Sequence, residues 1–280
     1  MGVNMQTWPQ GKMVHPQVKD LHFGAREAIN ILRGNIQLSG YGLKTIAVTS
    51  ALAQEGKSSI AFRLAMGLAG LNKKTLYLDC DIRNSMTEFR YKIPHDLDGL
   101  SEYLCGRVHL EDIIYHTDQP YMDMIFTGAV APNPSELISG PLFDQLLAQL
   151  RGVYDYVIVD TPPVNVVIDG ALIAKKCDGS ILVVESGVTE RAQAMSAKRH
   201  LEFAGIKILG VVLNKVGSRK SGYGYGYGYG YGYGYGYGYG YGEKKGRKRK
   251  TRRQLQADAR ESMKRDQNSV RKDKVTGRKS

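Results

Sequence analysis

The stretch that most constrains this chain is Thr45-Ile-Ala-Val-Thr-Ser-Ala-Leu-Ala-Gln-Glu-Gly-Lys-Ser-Ser-Ile60. Ile46 to Thr49 form an apolar, β-branched run that reads as a buried strand. A short loop of small residues follows, and Gly56-Lys57-Ser58 then opens a run with helical periodicity. A strand, a loop ending Gly-Lys-Ser and a helix together make a cradle for a nucleotide phosphate chain. Backbone N–H groups and a helix N-terminus supply positive potential, the lysine reaches the outer phosphates, and the serine hydroxyl is a ligand for Mg²⁺. One position departs from G-x-x-x-x-G-K-S, because Ala51 stands where the first glycine belongs. The competing reading of the triplet alone is an ordinary surface turn.

Strands and helices alternate downstream. Ile60–Leu71 reads as a helix and Lys74–Asp79 as a second strand, ending in Asp79-Cys-Asp-Ile-Arg83. Further strands are expected at Met122–Phe126, Tyr154–Asp160, Ser180–Glu185 and Ile206–Leu213. Helices are expected at Leu97–Leu104, Pro134–Leu150, Asp169–Lys176 and Glu190–Ala204. This pattern implies an α/β fold, a doubly wound and mainly parallel sheet that binds ligands at the carboxyl ends of its strands. Asp79, Asp81 and Asp160 all fall at such ends. One strand-end aspartate usually caps a turn; two core strands ending this way point to a metal held opposite Ser58, by Asp160 directly or through a water.

Ahead of the phosphate loop, residues 1–20 read as an irregular lead-in. Arg26–Ile36 reads as a helix, with Ile29, Leu32 and Ile36 as its apolar stripe. Glu27, Asn30 and Arg33 recur every third residue on another side, and spacing alone makes them a solvated face.

The chain changes character near Gly217. Gly222–Gly242 is strict Gly-Tyr alternation, eleven glycines and ten tyrosines. Glycine at every second position opposes a fixed backbone, so a mobile segment is expected over 218–242. Residues 243–280 hold 16 Lys/Arg and 5 Asp/Glu, a net of +11, so the remaining residues carry only 39 − 16 = 23 basic against 27 − 5 = 22 acidic groups. The body is therefore near neutral, and the tail carries the charge. Cys80, Cys105 and Cys177 show no CxxC spacing, which suggests neither a disulfide framework nor a zinc site. There is no uninterrupted apolar run of about 18 residues and no apolar h-region near the start. A cytoplasmic protein is expected, brought to a membrane by something else if it works there.

These motifs together resemble the bacterial tyrosine kinases of the capsule and exopolysaccharide type (BY-kinases), from about Leu21 to Val216. Their Walker A segment matches Ser50–Ser59, where the family's usual Pro-Gly pair is Ala53-Gln54. Their Walker A′ matches Leu76–Arg83, their Walker B matches Val157–Pro163, and Pro132–Leu137 is a further signature. The resemblance implies a kinase domain over 21–217, using ATP and Mg²⁺ to phosphorylate tyrosine. It assigns nucleotide contacts to Ala53, Gln54, Glu55, Gly56, Lys57, Ser58, Ser59 and Arg83, with Asn214 where the wider P-loop class reads adenine. Catalysis would fall to Lys57, Asp79, Asp81 and Asp160, with Asp79 as base and Asp81 supporting the metal, or those two roles exchanged. Ser58, Asp81 and Asp160 would hold the Mg²⁺.

The acceptors implied are Tyr223, Tyr225, Tyr227, Tyr229, Tyr231, Tyr233, Tyr235, Tyr237, Tyr239 and Tyr241, phosphorylated between copies. The family's self-association motif, Glu-x-x-Arg-x-x-Arg, survives as Glu27 and Arg33 with Asn30 in the middle, implying a ring-like homo-oligomer. A transmembrane adaptor, a cognate tyrosine phosphatase and regulation of polysaccharide export follow by resemblance; an anionic membrane surface is a further partner for the basic tail. Two other readings compete. A MinD- or ParA-like ATPase switch shares the sheet, but its signature lysine falls at Leu52 here. A scaffold with a nucleic-acid-binding tail would interleave aromatic and basic residues, and here the tyrosines precede the basic block.

Overall fold

A computed structural model describes residues 12–217, apart from 41 and 95. Among the described residues, eight strands form one sheet in the order β1-β4-β5-β3-β6-β2-β7-β8. They are β1 (Met13–Val14), β2 (Thr45–Ser50), β3 (Thr75–Asp79), β4 (Tyr115–Thr117), β5 (Met122–Ile125), β6 (Tyr156–Asp160), β7 (Gly179–Glu185) and β8 (Ile208–Asn214). All neighbours pair in parallel except β4 with β5. The expected α/β fold with a mainly parallel sheet is the one observed.

Alternation along the strands builds a core on each face. Ile46 and Val48 of β2, Tyr77 of β3 and Ile158 of β6 pack with Phe62, Leu64, Ala65 and Leu68 of α2 (Lys57–Ala69). Leu76, Leu78, Val157 and Val159 point the other way, onto Phe143, Leu146, Leu147 and Leu150 of α7 (Pro141–Val153). Ala47, Leu182 and Val184 meet α8 (Asp169–Lys175) and α9 (Arg191–Phe203). The chain leaves β2 for β3 on the far side of β6, then returns through β6 and passes to β7 on the far side of β2. β2 and β6 therefore lie side by side where the winding reverses, which is where doubly wound sheets place their ligand.

Several expectations are corrected. The helix expected over Pro134–Leu150 is two, α6 (Pro134–Ser139) and α7. Gly140 takes an extended conformation between them, and Pro141 has no N–H to continue a helix. Within the lead-in expected to be irregular, Met13–Val14 pair in parallel with His116–Thr117, and Val14 is buried. Two residues are too few to show a period. The short helices α3 (Thr87–Tyr91) and α5 (Leu110–Ile113) were not expected either, for the same reason. The helix α1 (Phe23–Leu38) contains the expected segment and extends it at both ends, and α4 (Leu100–Leu104) starts later than expected. The proposed tail segments, 218–242 and 243–280, lie outside the described residues.

Candidate active site

The loop between β2 and α2 is shaped by two left-handed residues, Gln54 (φ 65°) and Gly56 (φ 93°). Gly56 is required twice over: for its φ, and because a Cβ there would sit 2.2 Å from Asn214 Nδ2. Ala51, at the missing-glycine position, is fully buried in the Ala47–Leu182–Val184 cluster, so its methyl is packing rather than obstruction. Gln54 stands at the glycine of the family's Pro-Gly pair and takes the backbone that a glycine would take more readily.

Side chains from the far ends of β7 and β8 hold the loop from behind. The Glu55 carboxylate is buried; it accepts from Leu52 N (2.7 Å) and from the hydroxyl of Thr189. Asn214 Nδ2 donates to Glu55 O (2.8 Å), and Lys215 Nζ donates to Gln54 O (2.8 Å) while pairing with Glu185 (2.7 Å). Glu55 and Asn214, expected to contact the nucleotide, thus spend these polar atoms positioning the loop. Ala53 and Gln54 are exposed on it.

The chemistry-bearing groups converge in front of α2. Lys57 (8 % exposed) places Nζ 2.8 Å from Asp81 Oδ2, 3.5 Å from Asp160 Oδ1 and 3.3 Å from Ser58 Oγ. Burial works against its charge but is outweighed by Asp160 and Asp81, so the ammonium is held firmly. Asp79 and Asp160 are direct partners across the β3–β6 register, which brings two carboxylates onto adjacent strand ends. Both are buried, at 1 % exposure. Burial first, and then Asp160, push Asp79 up to about 6 despite its hydrogen bonds. Burial likewise raises Asp160, opposed chiefly by Lys57.

Around these acids lies a polar network that single-residue motifs did not reveal. Asp79 Oδ2 accepts from Ser85 Oγ (2.6 Å) and Thr87 Oγ1 (2.5 Å), while Oδ1 accepts from Asp81 N (3.1 Å). Tyr77 OH donates to Asp160 Oδ2 (3.0 Å) and lies 3.1 Å from Thr87 Oγ1. The available signal was Ser85 and Thr87 just beyond the Asp79–Arg83 segment, since hydroxyls so close to a carboxylate are natural donors to it.

Arg83, assigned to the nucleotide by resemblance, has contacts of its own within the fold. Its Nε pairs with Asp169 Oδ2 (2.5 Å) and its Nη2 donates to Ser135 Oγ (3.0 Å), whose hydroxyl donates to Asp169 Oδ1 (2.5 Å). The Pro132–Leu137 signature therefore ties the Walker A′ turn to α8. Ser59 accepts from Arg90 Nη1 (2.8 Å). On α1, Glu27 accepts from Asn30 (3.0 Å), whereas Arg33 reaches inward to Gly67 O on α2 (3.0 Å).

Mg²⁺ takes oxygen ligands and usually binds through one or two carboxylates plus phosphate oxygens. Ser58, Asp81 and Asp160 provide that donor set, and buried Asp160 Oδ1 has no hydrogen-bond partner beside its 3.5 Å ion pair with Lys57. Among the described residues no three His, Cys, Asp or Glu side chains form a metal cage. A magnesium ion shared with a nucleotide fits these residues.

Residues 43–189 match the model of the family described as an AAA domain. The chain is 40% identical over 197 residues to the tyrosine-protein kinase CpsD of Streptococcus agalactiae, covering 70% of this chain and 85% of that protein. The kinase domain of the Escherichia coli tyrosine kinase ETK superposes with a TM-score of 0.67 at 33% identity, over 72% of this chain and 80% of that one. The Pyrococcus furiosus cell division ATPase MinD (TM-score 0.55, 22% identity, 64% of this chain and 74% of that one) shares the fold alone. Among the described residues no helix is long and apolar enough to cross a membrane. With the P-loop, the two strand-end acidic segments and these likenesses together, the chain belongs to the bacterial tyrosine-kinase family.

Proposed function

We propose that this chain transfers the γ-phosphoryl group of ATP to tyrosines of the Gly-Tyr segment, Tyr223 to Tyr241, on a neighbouring copy of itself. The observation that carries the reading is the Lys57 ammonium held between Asp81 and Asp160 at the phosphate loop, with Asp79 alongside. Three carboxylates face one ammonium, an excess of negative charge that suits a site completed by Mg²⁺. Ser58, Asp81 and Asp160 would hold that ion, which would supply charge neutralisation at the phosphates.

Lys57 binds the outer phosphates, and loop N–H groups together with the α2 N-terminus cradle the rest. The tyrosine oxygen forms a bond to the γ-phosphorus as the bond from that phosphorus to the β,γ-bridging oxygen breaks, and ADP leaves with the electron pair. Asp79 accepts the phenolic proton late in the transfer; its raised basicity suits that role better than an ordinary carboxylate. Tyr77, Ser85 and Thr87 orient the acids.

Transfer between copies rests on family likeness and on the retained Glu27 and Arg33, with a ring-like homo-oligomer as its assembly. A membrane-spanning adaptor, a tyrosine phosphatase and control of polysaccharide synthesis or export complete the proposal, and recruitment to the inner membrane face would follow from the adaptor.

Purified chain with radiolabelled ATP and Mg²⁺ tests the reading. Label should appear on tail tyrosines, and Lys57→Met should abolish it while keeping the fold. When wild type is mixed with a mass-tagged Lys57→Met chain, label should appear on the tagged tails. Labelling by purified Lys57→Met alone would overturn the assignment, and phosphate release without tyrosine labelling would favour an ATPase switch.

A further inference from the structure

A cationic cavity adjoins the phosphate loop. Behind Ser59, one residue beyond the expected metal ligand, a cavity of about 540 Å³ is lined by Lys19, Arg63, Arg90 and Lys92 together with Gln17 and Tyr91. No carboxylate lines it. Two of its cations are fixed in place: Arg90 Nη1 donates to Ser59 Oγ (2.8 Å), and Arg63 Nη2 donates to the carbonyl of Lys19 (2.5 Å). Tyr91, which also lines the cavity, is held by stacking of its ring on Phe62 at 3.9 Å between centroids. Grouped guanidinium and ammonium ions are the chemistry that recognises a phosphate dianion. The cavity is also coupled to the reacting centre through α3, which bonds Asp79 through Thr87 and supplies Arg90 one turn later.

We propose that this cavity is a docking subsite for phosphotyrosine of the Gly-Tyr segment. It would hold a tyrosine already phosphorylated while another of the same tail is presented for transfer. The proposal rests on the kinase reading for its ligand. The repeat suits it: tyrosines recur every second residue, so successive side chains stand at most about 7 Å apart along an extended chain. Each unphosphorylated tyrosine is neutral and each phosphorylated one carries about −1.5 to −2, so a cationic cavity selects product over substrate. Retaining the product would turn ten separate encounters into a run along one tail.

Two measurements test the subsite. The first uses the phosphatase-treated full chain without nucleotide, titrated with a synthetic Gly-Tyr peptide carrying one central phosphotyrosine. Salt-sensitive binding is expected, absent for the unphosphorylated peptide and weakened about tenfold or more in the double variant Arg63→Gln, Lys92→Gln. Equal binding by that variant, or by the unphosphorylated peptide, overturns the proposal. Inorganic phosphate binding as tightly as the peptide would reassign the cavity to a free anion. This arm needs no turnover, so it stands even if the kinase reading fails.

The second follows phosphoforms by intact mass during reaction with ATP. Wild type should accumulate multiply phosphorylated tails early, whereas the variant should add the first phosphate at an unchanged rate and then pass through singly phosphorylated tails. Identical distributions in the two would overturn a role in retention.

Discussion

Asp79 is the residue whose environment makes the sharpest statement. Burial, and then the neighbouring Asp160, push its carboxyl up from an ordinary 3.8 to about 6. A base must be ionised to accept a proton, so kcat/KM should fall about tenfold per pH unit below pH 6 and level off above it. Asp79→Asn should lower the rate by about 10² to 10⁴; retained activity with an unchanged profile would transfer the role to Asp81. Stability runs in the opposite direction. A carboxyl whose folded value is raised contributes stability fully below 3.8 and loses it as pH rises through about 6. The stability advantage of wild type over Asp79→Asn should therefore shrink between pH 4 and pH 6, as read by urea unfolding at several pH values. Lys57 is raised above an ordinary lysine and stays charged throughout that window, so it adds no slope there. Gln54 offers a residue-scale test of the loop. Its left-handed backbone costs a non-glycine residue about 1–2 kcal/mol. Gln54→Gly removes that cost but gives up part of it in unfolded-chain entropy, so the expected net change is a small stabilisation of at most about 1 kcal/mol by thermal melting.

Elements matter here by what they hold from a distance. The turn after β7 carries Thr189, whose hydroxyl bonds the buried Glu55 carboxylate and accepts from Glu185 N (2.9 Å). Thr189→Val leaves both groups without that partner, at a cost of about 1–3 kcal/mol. It should also weaken ATP binding several-fold, measured by titration calorimetry, although Thr189 lies in none of the nucleotide-binding motifs. Unchanged affinity would mean that the backbone alone shapes the loop. Most of the element pattern was legible from the sequence because buried parallel strands are continuous apolar runs, as in Ile46–Thr49 and Tyr156–Val159. The pairs β1 and β4, and the helices α3 and α5, were not legible, being of five residues or fewer and stabilised by tertiary packing rather than by a period. At the site, Lys57, Asp81 and Asp160 converge as their motifs imply. Arg83, Ser59, Glu55 and Asn214 make contacts that motif matching could not foresee, because a motif fixes where a residue lies in the chain and not which neighbour the fold brings to it.

At the scale of the whole chain, charge is segregated. Residues 1–242 carry a net of +1 and residues 243–280 a net of +11, with ten tyrosines immediately before the basic block. Full phosphorylation of that tyrosine segment would add roughly −15 to −20, enough to reverse the sign of the whole tail. A basic block of this density binds anionic surfaces at about 1 kcal/mol per Lys or Arg close to the surface, and the attraction falls off within a Debye length. Phosphates a few residues away compete for the same cations at much higher effective concentration than a distant bilayer. The unphosphorylated chain should therefore sediment with phosphatidylserine vesicles, and autophosphorylation should release it at physiological salt. Deleting 222–242 separates the two effects: it should remove most labelling, spare ATP binding, and leave vesicle binding intact but insensitive to ATP. Vesicle binding that ignored phosphorylation in the full chain would reduce the basic block to a constitutive anchor. Release that persisted in Lys57→Met with ATP would show that nucleotide binding, rather than phosphate on the tail, drives it.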